Sequence, residues 1–266
     1  MSWHILCSGK KHVGQVTTTV ATIRSWTIKI GTASPYLNMR KKLENSIWKR
    51  HRYIILLTNT RKRLNNVQKI MLIAQLTDTH ITVPEDNAGD CCDKITALQR
   101  CVFTINRLDI LPDVVLHTGD VVHNGTVEEY KLTKSILDEL RMPYYITPGN
   151  RDSVDTLINE FLLSAVENTH KGFLQYSADI LDYRVVAVDT STAHSNLGYL
   201  NFDRLAHLDN ILSEKRETPT LLFMHHPPIN LSSSKPPEHE YENYQMVKNF
   251  SEIVDRHPQV IAILCG

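Results

Sequence analysis

From Met71 onward, short apolar runs alternate with longer stretches whose apolar residues recur every three or four positions. The short runs predict strands at MLIAQLTD (71–78), PDVVLHTGD (112–120), MPYYITPGN (142–150), DYRVVAVDT (182–190), TPTLLFMHHPP (218–228) and QVIAILCG (259–266). Between them the three-and-four spacing predicts amphipathic helices over 93–109, 126–141, 153–169, 201–215 and 243–257. Thr126 and Glu129 stand at capping-box spacing before the second of these. Strands alternating with helices predict an α/β domain with parallel or mixed sheets over 71–266.

Residues 1–70 lack this periodicity, and their composition differs too. They carry 14 Lys and Arg against one acid, Glu44, whereas the remainder carries 15 basic and 28 acidic residues. The zero formal charge of the whole chain thus averages a strongly basic leader and an acidic domain. Three readings of the leader stay open: a transit peptide, a nucleic-acid-binding arm, or a segment outside the functional protein that starts at Met71. The expectation for 1–70 is disorder or no part in the functional unit. Five cysteines, an odd number without CxxC spacing, argue against a disulfide framework and for a reducing, cytoplasmic setting. The longest apolar run near the N-terminus, Tyr53–Leu57, is far below the roughly 20 residues a spanning helix needs.

Polar residues that break the strand pattern collect where predicted strands end, which is where open α/β sheets place their ligands. Asp78 and His80 stand two apart as the first strand runs out. Asp120 follows Gly119 at the second exit, Asn150 sits on the Pro-Gly turn of the third, and His225 and His226 end the fourth before two prolines. His117, inside VVLHT, reads as a core histidine. Each feature alone is ordinary loop chemistry. Together, four exits deliver oxygen or imidazole donors, with no GxGxxG, no P-loop and no cysteine among them. That donor set suits Mn, Fe, Zn or Co.

In this order, LTDTH, HTGDVVHNG, TPGNRD and FMHHPP resemble the calcineurin-like metallophosphoesterases, especially bacterial glycerophosphodiesterases and class III cyclic-nucleotide phosphodiesterases. The resemblance covers about 71–266 and none of the leader. It implies a four-layer α/β/β/α sandwich and two divalent ions (Mn, Fe, Zn or Co). Asp78 and His80 would hold the first ion, Asp120 would bridge both, and Asn150 and His225 would hold the second. A hydroxide shared by the ions would then cleave a small phosphodiester to a monoester and an alcohol. Two ions, two carboxylates and that hydroxide leave a net charge of +1, suited to a monoanionic diester.

The family's last motif, Gly-His-x-His, would fall at Gly266, so the resemblance implies a domain truncated at its C-terminus. An inactive remnant is therefore the rival reading, and a nuclease-like enzyme using the basic leader is another. The acidic domain argues against nucleic acid as a partner, and nothing suggests a membrane. A homo-oligomer is compatible with the sequence. Where the family often has histidine after Gly-Asn, this chain has Arg151, which can bind phosphate but cannot shuttle a proton. Its alternative is a surface ion pair with Asp152 or another acid. Leaving-group protonation would then fall to His226 or to solvent.

Overall fold

A computed structural model describes residues 71–83, 91–161, 172–228 and 241–266, with backbone alone at 91–93 and at 5–7, 53–58, 63–64 and 67–68. Eleven strands among the described residues are β1 (Ile5–Cys7), β2 (Tyr53–Thr58), β3 (Arg63–Leu64), β4 (Val67–Gln68), β5 (Met71–Leu76), β6 (Val114–His117), β7 (Tyr144–Ile146), β8 (Tyr176–Ile180), β9 (Tyr183–Ala187), β10 (Thr220–Met224) and β11 (Val260–Cys265). The helices are α1 (Cys91–Ile105), α2 (Val127–Leu137), α3 (Val154–Glu160), α4 (Phe202–Glu214) and α5 (Tyr244–Arg256).

Two mixed sheets form the centre, in the orders β2-β5-β6-β7 and β1-β11-β10-β9-β8. β5, β6 and β7 run parallel, as do β9, β10, β11 and β1, while β2 and β8 are the antiparallel edges. Side-chain alternation in the second sheet explains the layering. Val185, Ala187, Leu221, Phe223, Ala262 and Leu264 join the core shared with the first sheet. Their neighbours Val186, Leu222, Met224, Ile263 and Cys265 join a separate core under α4 and α5. Leu205, Leu208, Ile211 and Leu212 of α4 and Val247, Phe250, Ile253 and Val254 of α5 cover that outer face. Leu98, Cys101, Val102 and Ile105 of α1, with Ile136 and Leu137 of α2, belong to the core of the first sheet. The order helix, sheet, sheet, helix is the four-layer sandwich.

Local chemistry starts the helices where the pattern indicates. Thr126 and Glu129 form the full capping box on α2, and Asn201 caps α4 by accepting from the Arg204 N–H. Of the predicted helix over 153–169, α3 accounts for Val154–Glu160, while 162–171 lie outside the described residues. Alternation alone did not reveal β8. Its two-residue turn to β9 is Leu181–Asp182, with Leu181 at φ 55°, where such hairpins ordinarily use Asn or Gly. In the leader, β2 pairs with β5 and β1 pairs with β11. Most of 1–70 lies outside the described residues. Cys101 is a free, buried thiol, and Cys265 is buried as well. No described helix is long and apolar enough to cross a membrane.

Polar clamps bring the two sheets together at one end. The Tyr176 hydroxyl donates to the Ile146 carbonyl at 2.7 Å and accepts from the Ile146 N–H at 2.9 Å. The buried Gln75 amide donates to Thr118 Oγ1 at 2.9 Å and to the Cys265 carbonyl at 2.8 Å. These bonds join β5 and β7 to the opposite sheet, just before the loops that carry the donor residues.

Candidate metal centre

The strand exits converge. Asp78, His80 and Asp120 each bring a ligand atom within 4.8 Å of the others. His80 Nε2 lies 3.6 Å from Asp78 Oδ1 and 3.4 Å from Asp120 Oδ2. On the other side of Asp120, His225 Nε2 lies 3.6 Å from Oδ1 and 3.2 Å from Asn150 Oδ1. Asp120 therefore stands between the two groups. Asp78, His80, Asp120 and Asn150 come from the first sheet and His225 from the second, so the site straddles both.

Backbone geometry forces this convergence. Asp78, His80 and Asp120 sit at φ 53°, 44° and 52°, the left-handed region that non-glycine residues avoid. Beyond β5 and β6 the two segments stay side by side, the Asp78 and His80 N–H groups donating to the Gly119 and Asp120 carbonyls and Ile81 bridging to Val122 in parallel. Gly149 packs directly on Asp120: a Cβ there would meet its backbone nitrogen and Oδ1 at 2.3 Å. Glycine is required at that point by space alone.

Hydrogen bonds fix the direction of the donors. His225 Nδ1 donates to the Thr118 carbonyl at 2.8 Å, which leaves the Nε2 lone pair facing Asn150 Oδ1 and Asp120 Oδ1. Asn150 donates from Nδ2 to Asn196 Oδ1 at 3.3 Å, which turns its own oxygen toward His225. In the neutral form of His225, its Nε2, Asn150 Oδ1 and Asp120 Oδ1 are three lone-pair donors brought together, an arrangement suited to a cation. The separations fit as well: two donors on one ion at about 2.1 Å, at a near-tetrahedral angle, lie about 3.4 Å apart. Burial alone would raise the Asp78 carboxyl, but the pull of His80 and His225 holds it well below the usual carboxylate range.

His117 is buried behind the site, as expected of a core histidine. Thr79 Oγ1 donates to the Val121 carbonyl at 2.7 Å, so His117 Nε2 donates to that hydroxyl at 3.0 Å, and Nδ1 has no partner among the described residues. Burial pushes its pKa down to about 3, so the ring is neutral. His123 packs edge-on against His80 at 5.9 Å, its pKa lowered by burial and by the charge of Lys94.

Asp152 is the residue the sequence reading underrated. It does not serve as the surface partner of Arg151. Its carboxylate accepts the N–H groups of Gly149 (2.8 Å), Val121 (3.1 Å) and Val122 (3.2 Å) and the Tyr130 hydroxyl (3.0 Å). It thereby ties the Asp120 loop to the Asn150 loop. Burial and the nearby Asp120 push its carboxyl up to about 6, against the pull of those N–H donors. The only sequence signal was an acid two residues after the Gly-Asn turn.

The Arg151 backbone N–H donates to Asp120 Oδ1 at 2.9 Å, and its side chain is exposed, with no ion pair or hydrogen bond to another described residue. His226 is buried. Its Nε2 donates to the Asn196 carbonyl at 3.1 Å, and its Nδ1 meets the Thr190 hydroxyl at 2.8 Å. Asn196, which holds the Asn150 amide, carried no signal in the sequence.

The chain is similar to known proteins. A protein of Arcobacter nitrofigilis named "Probable glycerophosphodiester phosphodiesterase" is 34% identical over 200 residues, covering 74% of this chain and 71% of that protein. A 3',5'-cyclic-nucleotide phosphodiesterase of Nostoc sp. is 28% identical over 200 residues, covering 73% and 70%. Among solved structures, purple acid phosphatase PPD1 from yellow lupin seeds superposes with a TM-score of 0.50 at 12% identity, over 75% of this chain and 40% of that one, a likeness of fold alone. The profile described as calcineurin-like phosphoesterase matches residues 71–266. With its sandwich and the donors gathered at the strand exits, the chain belongs to the calcineurin-like phosphoesterase family.

Proposed function

We propose that residues 71–266 form a phosphodiesterase domain acting on small diesters of the glycerophosphodiester or cyclic-nucleotide type. The observation that carries this reading is the set of carboxylate, amide and imidazole ligand atoms gathered 3.2–3.6 Å apart around Asp120. Asp78, His80 and Asp120 would hold one divalent ion, and Asp120, Asn150 and His225 a second. Bound there, such ions supply a nucleophile from water at neutral pH and positive charge for the phosphoryl and departing oxygens.

The chain's own residues account for the rest. Thr118 fixes the His225 tautomer, and Asp152 and the Arg151 N–H hold the Asp120 and Asn150 loops in register. The exposed Arg151 guanidinium would bind a non-bridging phosphate oxygen. His226, held between Thr190 and Asn196, supports the ligand-bearing loop, which leaves leaving-group protonation to solvent. The relatives' names support the substrate class, and the acidic domain favours small substrates over polyanions. A cytoplasmic setting is part of the same proposal, supported by the odd number of cysteines without CxxC spacing.

The full chain assayed with Mn²⁺ should hydrolyse bis-p-nitrophenyl phosphate at least about tenfold faster than the monoester, with activity lost to a chelator. Faster monoester turnover would overturn the diesterase reading, and an inert protein would favour the remnant. Arg151→Ala should raise KM for the diester by about tenfold, the loss of one charged hydrogen bond, with kcat little changed. An unaltered KM would return Arg151 to the surface.

A further inference from the structure

We propose that Asn196 is a positioning residue for Asn150: its side-chain oxygen fixes the Asn150 amide so that Oδ1, not Nδ2, faces His225. The proposal rests on the reading of Asn150 as a metal ligand and extends it to a residue on a different loop. An asparagine amide has two ends of equal size, and only the oxygen end binds a cation. The 3.3 Å bond from Asn150 Nδ2 to Asn196 Oδ1 selects that end.

The loop that presents Asn196 is built to hold it. Arg204 donates from Nη1 to the carbonyls of Asp189 (3.2 Å), Ser191 (2.6 Å) and Tyr199 (3.0 Å), pinning both ends of the stretch. The Tyr199 N–H returns to the Thr190 carbonyl at 3.0 Å, and Thr192 bridges to Ser195. Gly198 lies so close to His226 and Tyr241 that a Cβ would meet them at 2.9–3.0 Å. His226 then anchors the Asn196 carbonyl itself at 3.1 Å. An exposed side chain is thus carried on a backbone held from below at its own carbonyl. Since water competes for the exposed Asn196 oxygen, its effect is the orientation of one amide, not the integrity of the fold.

The test is calorimetric titration of the full metal-free chain with Mn²⁺, alongside Asn196→Ala and Asn196→Asp and thermal unfolding of each without metal. Loss of a supporting partner of this kind lowers metal affinity by about 10- to 100-fold. Asn196→Ala should weaken the second Mn²⁺ by about tenfold, leaving the first Mn²⁺ and the metal-free melting temperature unchanged. Asn196→Asp keeps the acceptor and should retain or exceed the parent's affinity for the second ion. Equal second-ion affinity in parent and Asn196→Ala overturns the positioning role while leaving the two-ion reading intact. So does a loss shared by Asn196→Asp, or a fall in metal-free melting temperature that accompanies it. A parent chain that takes up only one Mn²⁺ overturns both, and is seen before any substitution is compared.

Discussion

Asp120→Asn should lower Mn²⁺-dependent diester hydrolysis by about 10³, the loss of several kcal/mol of charge stabilisation at the phosphoryl group. Asp120 is the one side chain that faces both donor groups: Oδ2 is 3.4 Å from His80 Nε2 and Oδ1 is 3.6 Å from His225 Nε2. Asparagine keeps the shape and tolerates the same φ, but it brings one neutral oxygen in place of a shared carboxylate. The metal-free variant should therefore melt no lower than the parent, while Mn²⁺ uptake falls at both positions. Steady-state rates together with metal content per chain decide it. Retained activity with two bound ions would remove Asp120 from its central place.

Gly149→Ala should be the most damaging one-carbon change in the domain. The added Cβ would lie 2.3 Å from Asp120 nitrogen and Oδ1, and backbone cannot swing aside as the tip of a side chain can. Overpacking of this kind costs about 1–3 kcal/mol. For a domain of this size that corresponds to about 2–12 °C in melting temperature. Asp120 would have to move, so Mn²⁺ binding and diester turnover should fall together with stability. Melting curves with and without Mn²⁺ check both halves. A variant with unchanged melting would mean that the two strand-exit loops are not packed as described.

These two positions also show what the sequence makes legible. GD and PGN could be read as close turns bearing donors only because four strand exits carry donors together; each alone is an ordinary turn. Short apolar runs revealed β5, β6, β7, β9, β10 and β11, most of them buried on both faces, and three-and-four spacing revealed the apolar faces of α4 and α5. β8 escaped because its turn is Leu181–Asp182 and lacks the usual glycine or asparagine. Asp152 and Asn196 escaped for a different reason. Their roles depend on bonds to groups far along the chain, such as Val121, Tyr130 and His226, and no local spacing encodes those partners.

Three of the four non-glycine residues in left-handed backbone among the described residues are Asp78, His80 and Asp120. Such conformations cost about 1–3 kcal/mol each unless the surroundings impose them. Conformational ease and chemistry are therefore opposed at these positions: glycine at 78 or 80 would relax the chain and discard a donor. A lineage freed from selection for turnover would be expected to drift toward such relaxed residues there first, becoming hardier as it fell silent.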